Sequence, residues 1–345
     1  MPTSRRIAIP IQVLTLLALW SILALTGCDK ASAPGQIAML RLRAGSPPRY
    51  DVVVSATDGS ASRLLTGDSV RGGLEPVLFG RGSWAPDDRH LALAVDLTRS
   101  HGRIAPSDVY VLDTRTERFR RLTHTGRALA PSWAPDGRTI AFAKHARGNG
   151  FPLSSSLWVI ESNGRGLREL LPASAGNLDL PASWAPDGSR LAFTRRHWVG
   201  GAEFFRSAIY IIRRDGSGLR RFADHASDAA WSPDGRKIAF ASDRDKNGTL
   251  SYGDRTFFAN ELYVASVNGS HFVRLTRTKD LNEGSPSWSP DGSEIVYQRG
   301  RVIENAEGTS VLRVNSDGSD SKVIAGDPQL LTWYAAPSWS PRANR

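Results

Sequence analysis

The stretch "SWAPDGRTIAFAKH" at residues 132–145 decides how this chain folds. The same phrase recurs as "SWAPDDRHLALAVD" (83–96), "SWAPDGSRLAFTRR" (183–196), "AWSPDGRKIAFASD" (230–243) and "SWSPDGSEIVYQRG" (287–300). A sixth copy, "SWSPRANR" (338–345), begins and breaks off. The tryptophans Trp84, Trp133, Trp184, Trp231, Trp288 and Trp339 are spaced 49, 51, 47, 57 and 51 residues apart. A sustained period near fifty is the mark of stacked or radial repeats, and it has to be settled before any other reading of the fold.

Each phrase starts in an extended run, as in "APSW", and turns at Pro-Asp-Gly. Proline at the second turn position and glycine at the fourth suit a type I turn. Short runs such as "RTIAFA" and "SEIVYQ" follow, alternating and rich in β-branched and aromatic residues, as strands are. A third strand comes after a loop: "DVYVLD" (108–113), "SLWVIE" (156–161), "AIYIIR" (208–213), "ELYVAS" (261–266) and "SVLRVN" (310–315). Then comes Asn163-Gly164, Asp215-Gly216, Asn268-Gly269 or Asp317-Gly318, pairs that favour tight hairpins because both positions accept positive φ. A fourth strand such as "FVRLT" closes the unit. Four short strands in a meander are one blade of a β-propeller.

The broken copy now has a partner. Residues 336–341 supply a first strand with no second, and residues 37–43, "IAMLRLR", supply a second strand with no phrase before it. The N-terminal stretch continues through "DVVVSA", Asp58-Gly59 and "SRLLT". The two fragments complete one blade, and their pairing leaves no open edge in the ring. The expectation is an all-β fold: a six-bladed β-propeller of four-stranded antiparallel blades over 37–345, closed by the terminal strands.

The repeat "PSWSPDGxxIAF…IYV…DGS…LT" resembles the WD-like repeat of the TolB family of six-bladed propellers. The resemblance covers about residues 37–345. Asp88 stands at the turn glycine of one copy, and "DTRTER" (113–118) lacks the hairpin glycine. Members of that family carry an α/β domain ahead of the propeller, for which the stretch between Cys28 and Ile37 leaves no room. The resemblance implies a binding role in the cell envelope. The repeated tryptophans are read as structural, filling the wedges between blades.

Arg5 and Arg6 precede the apolar run 7–25, as in an export signal. Leu25-Thr26-Gly27-Cys28 then resembles a bacterial lipobox, and Cys28 is the only cysteine in the chain. That resemblance implies a signal peptide over 1–27, an acylated Cys28, a polar tether over 28–36 and attachment to a membrane facing the periplasm or exterior. Asp29 resembles an inner-membrane retention signal. The alternative is an uncleaved anchor, since 19 apolar residues nearly span a bilayer. A lone cysteine allows no internal disulfide.

In such a meander the Pro-Asp-Gly and Asp-Gly turns share one face of the disc, and the long loops collect on the other. Loops on a rigid scaffold are where binding usually resides. The long-loop face gathers Phe151, Trp198, Phe204, Phe205, Tyr252, Phe257, Phe258, Trp333 and Tyr334, and aromatics are common anchors of binding surfaces. One loop has calcium-loop spacing: Asp243, Asp245, Asn247, the Thr249 carbonyl and Asp254, with Gly248 at the bend. The net charge of +10 suggests an anionic partner or surface.

These features point to a monomeric docking module that binds an envelope protein or an anionic envelope polymer. It would need no cofactor, with calcium the one candidate. The rival expectation is a propeller lyase or hydrolase acting on an acidic glycan, with a metal held by His101, His124, His145, His197 or His225 at the channel mouth. No two of these histidines show a ligand spacing. The sequence contains no Gly-x-Ser-x-Gly elbow, no phosphate loop and no nucleic-acid recognition motif.

Overall fold

The computed structural model of the chain describes residues 35–43, 49–65, 82–95, 107–146, 154–200, 205–252, 255–279, 281–300, 309–326 and 334–341. Its regular structure among them is all β, in six four-stranded antiparallel sheets plus one two-stranded hairpin. Blade 2 contains β4 (Ser83–Trp84), β5 (His90–Val95), β6 (Asp108–Asp113) and β7 (Arg118–Arg121). Blade 3 contains β8 (Ala128–Trp133), β9 (Thr139–His145), β10 (Ser155–Glu161) and β11 (Arg168–Leu171). Blade 4 contains β12 (Asn177–Trp184), β13 (Arg190–Trp198), β14 (Phe205–Arg213) and β15 (Arg220–Asp224). Blade 5 contains β16 (Ala226–Trp231), β17 (Lys237–Ser242), β20 (Glu261–Ser266) and β21 (Val273–Arg274), with the hairpin β18 (Thr249–Tyr252) and β19 (Arg255–Phe258) inserted. Blade 6 contains β22 (Asn282–Trp288), β23 (Glu294–Gly300), β24 (Thr309–Asn315) and β25 (Lys322–Ala325).

Blade 1 is made from both ends of the propeller. Its order is β26 (Tyr334–Trp339), β1 (Gln36–Arg43), β2 (Arg49–Ala56), β3 (Arg63–Leu64). Ile37 pairs with Trp339 and Ala38 with Ser338, as the complementary fragments require. The Gln36 N–H reaches Ser340 Oγ at 3.1 Å, and the Ser340 N–H reaches the Gln36 carbonyl at 2.8 Å.

Every interface between neighbouring blades is an apolar wedge. Blade 2 packs on blade 1 through Trp84, Leu91 and Leu93 against Ala38, Val52 and Val54. Blade 6 packs on blade 5 through Trp288, Ile295 and Tyr297 against Leu262, Val264 and Leu275. Five of the six repeat tryptophans are buried and Trp133 is half-buried. Their polar contacts alternate around the ring. The indole N–H of Trp84, Trp184 and Trp288 donates to the carbonyl of Ser338, Ser132 and Ala230 on the preceding blade, at 2.9, 3.1 and 3.0 Å. Trp133, Trp231 and Trp339 instead donate their backbone N–H to the hydroxyl of Ser83, Ser183 and Ser287, at 2.8, 3.2 and 3.0 Å. Identical sequence phrases therefore make two kinds of junction in strict alternation.

A second set of ties runs along the rim. Arg63, Arg120, Arg168 and Arg220, each on an outermost strand, donate to the backbone carbonyl of Thr114, Ser162, Arg214 and Val267 on the next blade, at 2.7 to 2.9 Å. Part of the basic excess of this chain is thus a structural fastening between blades. The same arginines charge the outer edges, which discourages pairing with another sheet. Blade 5 has Val273 at this repeat position, 51% exposed, and blade 6 has Lys322, which pairs with Asp320 at 2.8 Å. The junctions 5–6 and 6–1 therefore lack the arginine tie.

The short turns follow one rule. Each turn carboxylate or amide accepts the N–H two residues on, as Asp136 does from Arg138 and Asp215 from Ser217, both at 2.8 Å. Asp88 takes positive φ, 55°, where the other copies have glycine, as an aspartate can. At Gly216 the demand is double: φ is +91°, and an added Cβ would lie 2.7 Å from the Leu170 carbonyl oxygen of the preceding blade.

Candidate functional site

The long-loop face differs from blade to blade. In blade 4 the strands β13 and β14 run nine residues each, longer than the six- or seven-residue second and third strands of blades 2 and 3. Their last pair is Trp198 with Phe205, and the two rings meet edge to face, 5.4 Å apart and at 73°. Beyond them Val199 is exposed, and no atom of the described residues lies within 4 Å of where a Cβ on Gly200 would be. One residue below, His197 shares a 2.8 Å hydrogen bond with Asn177.

The inserted hairpin of blade 5 is the second projection. Thr249 pairs with Phe258 and Leu250 with Phe257. Leu250 turns inward and is buried, while Phe258 is 39% exposed with the Lys246 ammonium 5.6 Å from its ring centre. Trp198, Phe205 and Phe258 are thus placed on raised hairpins of adjacent blades, as half-buried or exposed rings. Tyr252, Phe257 and Tyr334 lie on described strands, but their side chains are outside the described set. Phe151, Phe204, Trp333, Asp254, Cys28 and Asp29 lie outside the described residues, as do the signal segment and the tether through residue 34.

Both projections stand on charged aromatic bases. In blade 4, Asp179 is fully buried and takes two 2.7 Å hydrogen bonds from Arg195, whose guanidinium lies over Tyr210 and Phe193 at 4.8 and 5.6 Å. In blade 5, Arg244 lies over Phe272, Tyr263 and Phe240 at 4.1, 5.1 and 5.3 Å. Cation–π contacts of this kind strengthen as they lose water.

The segment with calcium-loop spacing is engaged with the protein itself. Asp245 is ion-paired to Arg274, Asp243 lies 3.3 Å from His225 Nδ1, and the Asn247 amide N–H donates to Glu261 at 3.2 Å. Thr249 opens β18. Among the described residues no three His, Cys, Asp or Glu side chains gather as a metal would need. The histidines expected around a channel mouth fall in separate places. His145 ends β9 in blade 3, buried, and its burial holds it below the usual histidine range. His124 and His225 lie in connections between blades, His197 on β13, and His101 outside the described residues.

Two carboxylate nodes under the long-loop face were not singled out from the sequence. In blade 2, Asp108 accepts from Arg121 Nη2 and Thr123 Oγ1 at 2.6 Å, and from the Thr125 N–H at 2.7 Å. In blade 5, Glu261 accepts from Arg274 Nη2 and the Thr278 N–H at 2.8 Å. A signal for both was present. "DVY" (108–110) is followed by "RLTHT" (121–125), and "ELY" (261–263) by "RLTRT" (274–278): an acid opening strand three, then Arg-Leu-Thr-x-Thr leaving strand four.

The fold and this face set the chain among six-bladed propellers with differentiated loops. No family model matches it. It is 25% identical over 215 residues to a protein of Bacillus subtilis described as an uncharacterized peptidase, YuxL, spanning 62% of this chain and 28% of that protein. It is 24% identical over 260 residues to the uncharacterized protein Atu1656 of Agrobacterium fabrum, 72% of this chain and 76% of that one. Among solved structures, TolB from Acinetobacter baumannii superposes with a TM-score of 0.65 at 21% identity, covering 89% of this chain and 67% of its own. A putative TolB from Agrobacterium tumefaciens gives 0.57 at 17% identity, with 90% and 100% covered. The chain therefore has the TolB-like six-bladed propeller fold.

Proposed function

We propose that this chain is an extracytoplasmic docking protein, a propeller held at a bacterial membrane through acylated Cys28 whose long-loop face binds an envelope protein. The observation that carries the reading is the pair of raised hairpins on adjacent blades. They carry Trp198 and Phe205 at the ends of nine-residue strands and Phe258 on the inserted hairpin. Rigid aromatic rings give large contact area at low entropic cost, which is why they recur as interface anchors. The lipobox-like Leu25-Thr26-Gly27-Cys28 and the basic excess support the setting: a membrane tether, with anionic envelope polymer as the competing ligand.

The test is chemical crosslinking and pull-down of the full chain from its native envelope. Trp198→Ala and Phe258→Ala should lose the captured protein while melting as the wild type does. If both variants capture the same set, the face assignment is wrong. If the captured material is polymer alone, the partner class is wrong. Cys28→Ser should release the chain from the membrane fraction, and unchanged processing and attachment would remove the anchor.

A further inference from the structure

The node at Glu261 brings two buried carboxylates together across a blade junction. Glu261, on β20, is fully buried; its Oε1 takes Arg274, the Thr278 N–H and the Asn247 amide, while its Oε2 is buried with no donor. Glu283, on β22 of the next blade, is also fully buried, with its carboxyl on the hydroxyls of Thr276 and Thr278. Arg274 also holds Asp245. Thr278 thus joins two buried carboxylates, giving its N–H to Glu261 and its hydroxyl to Glu283, while Arg274 reaches Glu261 and Asp245 but not Glu283. The other groups acting on this space are Arg299 beside Glu283, Tyr297 and Tyr263, and Arg244 beside Tyr263. In a dry site two neighbouring acids relieve their mutual repulsion when one holds a proton.

The same node roots the blade 5 hairpin. The Glu283 N–H donates to the Asn260 carbonyl at 3.0 Å, two residues past the end of β19, and Asn260 also bonds Asn282 at 2.9 Å. Asn247, two residues before β18, is the side chain held by Glu261. The junction involved, 5–6, is one of the two that lack the rim arginine tie.

We infer that Glu283 is a proton-controlled latch for the β18–β19 hairpin: protonated, it seals the blade 5–6 junction at the hairpin's foot, and ionised, it loosens that junction and frees the hairpin. Burial first, with the Glu261 charge adding to it against the Thr276 hydrogen bond, pushes Glu283 up to about 7. In the open state the carboxyl returns to its ordinary range near 4.5. The latch is therefore complete below that ordinary value, weakens as pH rises toward 7 and weakens no further above it. Its consequence for docking rests on the reading of the long-loop face above; the latch itself does not.

Hydrogen exchange on the full chain between pH 5 and 8 tests it. After correction for intrinsic exchange, the opening constant of β18, β19 and the Glu283 amide should rise by up to about tenfold per pH unit to pH 7, then level. Amides of β9 and β10 should not follow. Glu283→Gln should flatten the profile. Should that variant not fold, the wild type must show an infrared band of a buried protonated carboxyl at pH 6 that is gone by pH 8. A flat wild-type profile, an equal slope in Glu283→Gln, or no such band overturns the latch. Capture of a partner by the wild type equally well at pH 5.5 and 8, with a sloped exchange profile, would uphold the latch and sever it from docking.

Discussion

Asp108 in blade 2 and Glu261 in blade 5 sit at the same place in the repeat, and they behave differently. Asp108 is buried, and backbone donors complete it: the N–H of Thr125, and of Gly126 at 3.2 and 3.3 Å. The strand that follows, β8, places the apolar Ala128 at this junction. Glu261 has a side chain one carbon longer, leaves one oxygen without a donor, and meets Glu283 from the following strand. A blade junction becomes a titrating site by the addition of a single acid to the neighbouring inner strand. Local motif alone does not separate a structural carboxylate from a switch; the next blade does.

The sharpest way to break this comparison is to neutralise each node in turn. Asp108→Asn should cost about 2–3 kcal/mol, because it leaves Arg121 and several N–H groups without their anion. Glu261→Gln should cost less than half as much at pH 8, since it also removes one of two neighbouring buried negative charges. Chemical denaturation of both variants decides the matter, and equal losses would make the nodes equivalent. A smaller effect belongs to Gly216→Ala. Positive φ and the Leu170 carbonyl together should lower stability by about 1–2 kcal/mol, whereas alanine at Gly200, also at positive φ but facing open space, should cost about half that. The smallest change is a gain. Val273→Arg restores the missing rim tie toward the Ser316 carbonyl and should raise stability by about 0.5–1 kcal/mol. It should also slow opening at the 5–6 junction without altering the pH at which Glu283 titrates. No shift in melting would mean that the rim arginines contribute nothing net.

The sequence reached far into the fold because each blade is local. Four strands joined by turns that need Pro, Asp and Gly at set places write themselves as a period, and the ring follows from the complementary ends. The exceptions were readable too: Asp88 takes the left-handed turn geometry, and Glu117, at φ 57°, relieves the hairpin that lacks its glycine. The raised aromatics Trp198, Phe205 and Phe258 were visible as loop content, although not as hairpin tips. The calcium-loop spacing of Asp243, Asp245 and Asn247 was equally visible, but spacing says nothing about a cation arriving from another strand. Arg274 lies some thirty residues further along the chain and takes Asp245.

By itself, then, the sequence determined the blade, the number of blades and which end carries the long loops, because these depend on contacts within about fifty residues, and the way the ring closes, because its two ends are complementary halves of one repeat. Tertiary structure alone decided what passes between blades: the alternating tryptophan junctions, the arginine ties missing from two of the six, and the meeting of Glu261 with Glu283. The tryptophan and arginine contacts fall about one repeat apart, but which atoms meet is set by how neighbouring blades pack, and the protonation of Glu283 depends on burial. Burial is a property of the assembled ring.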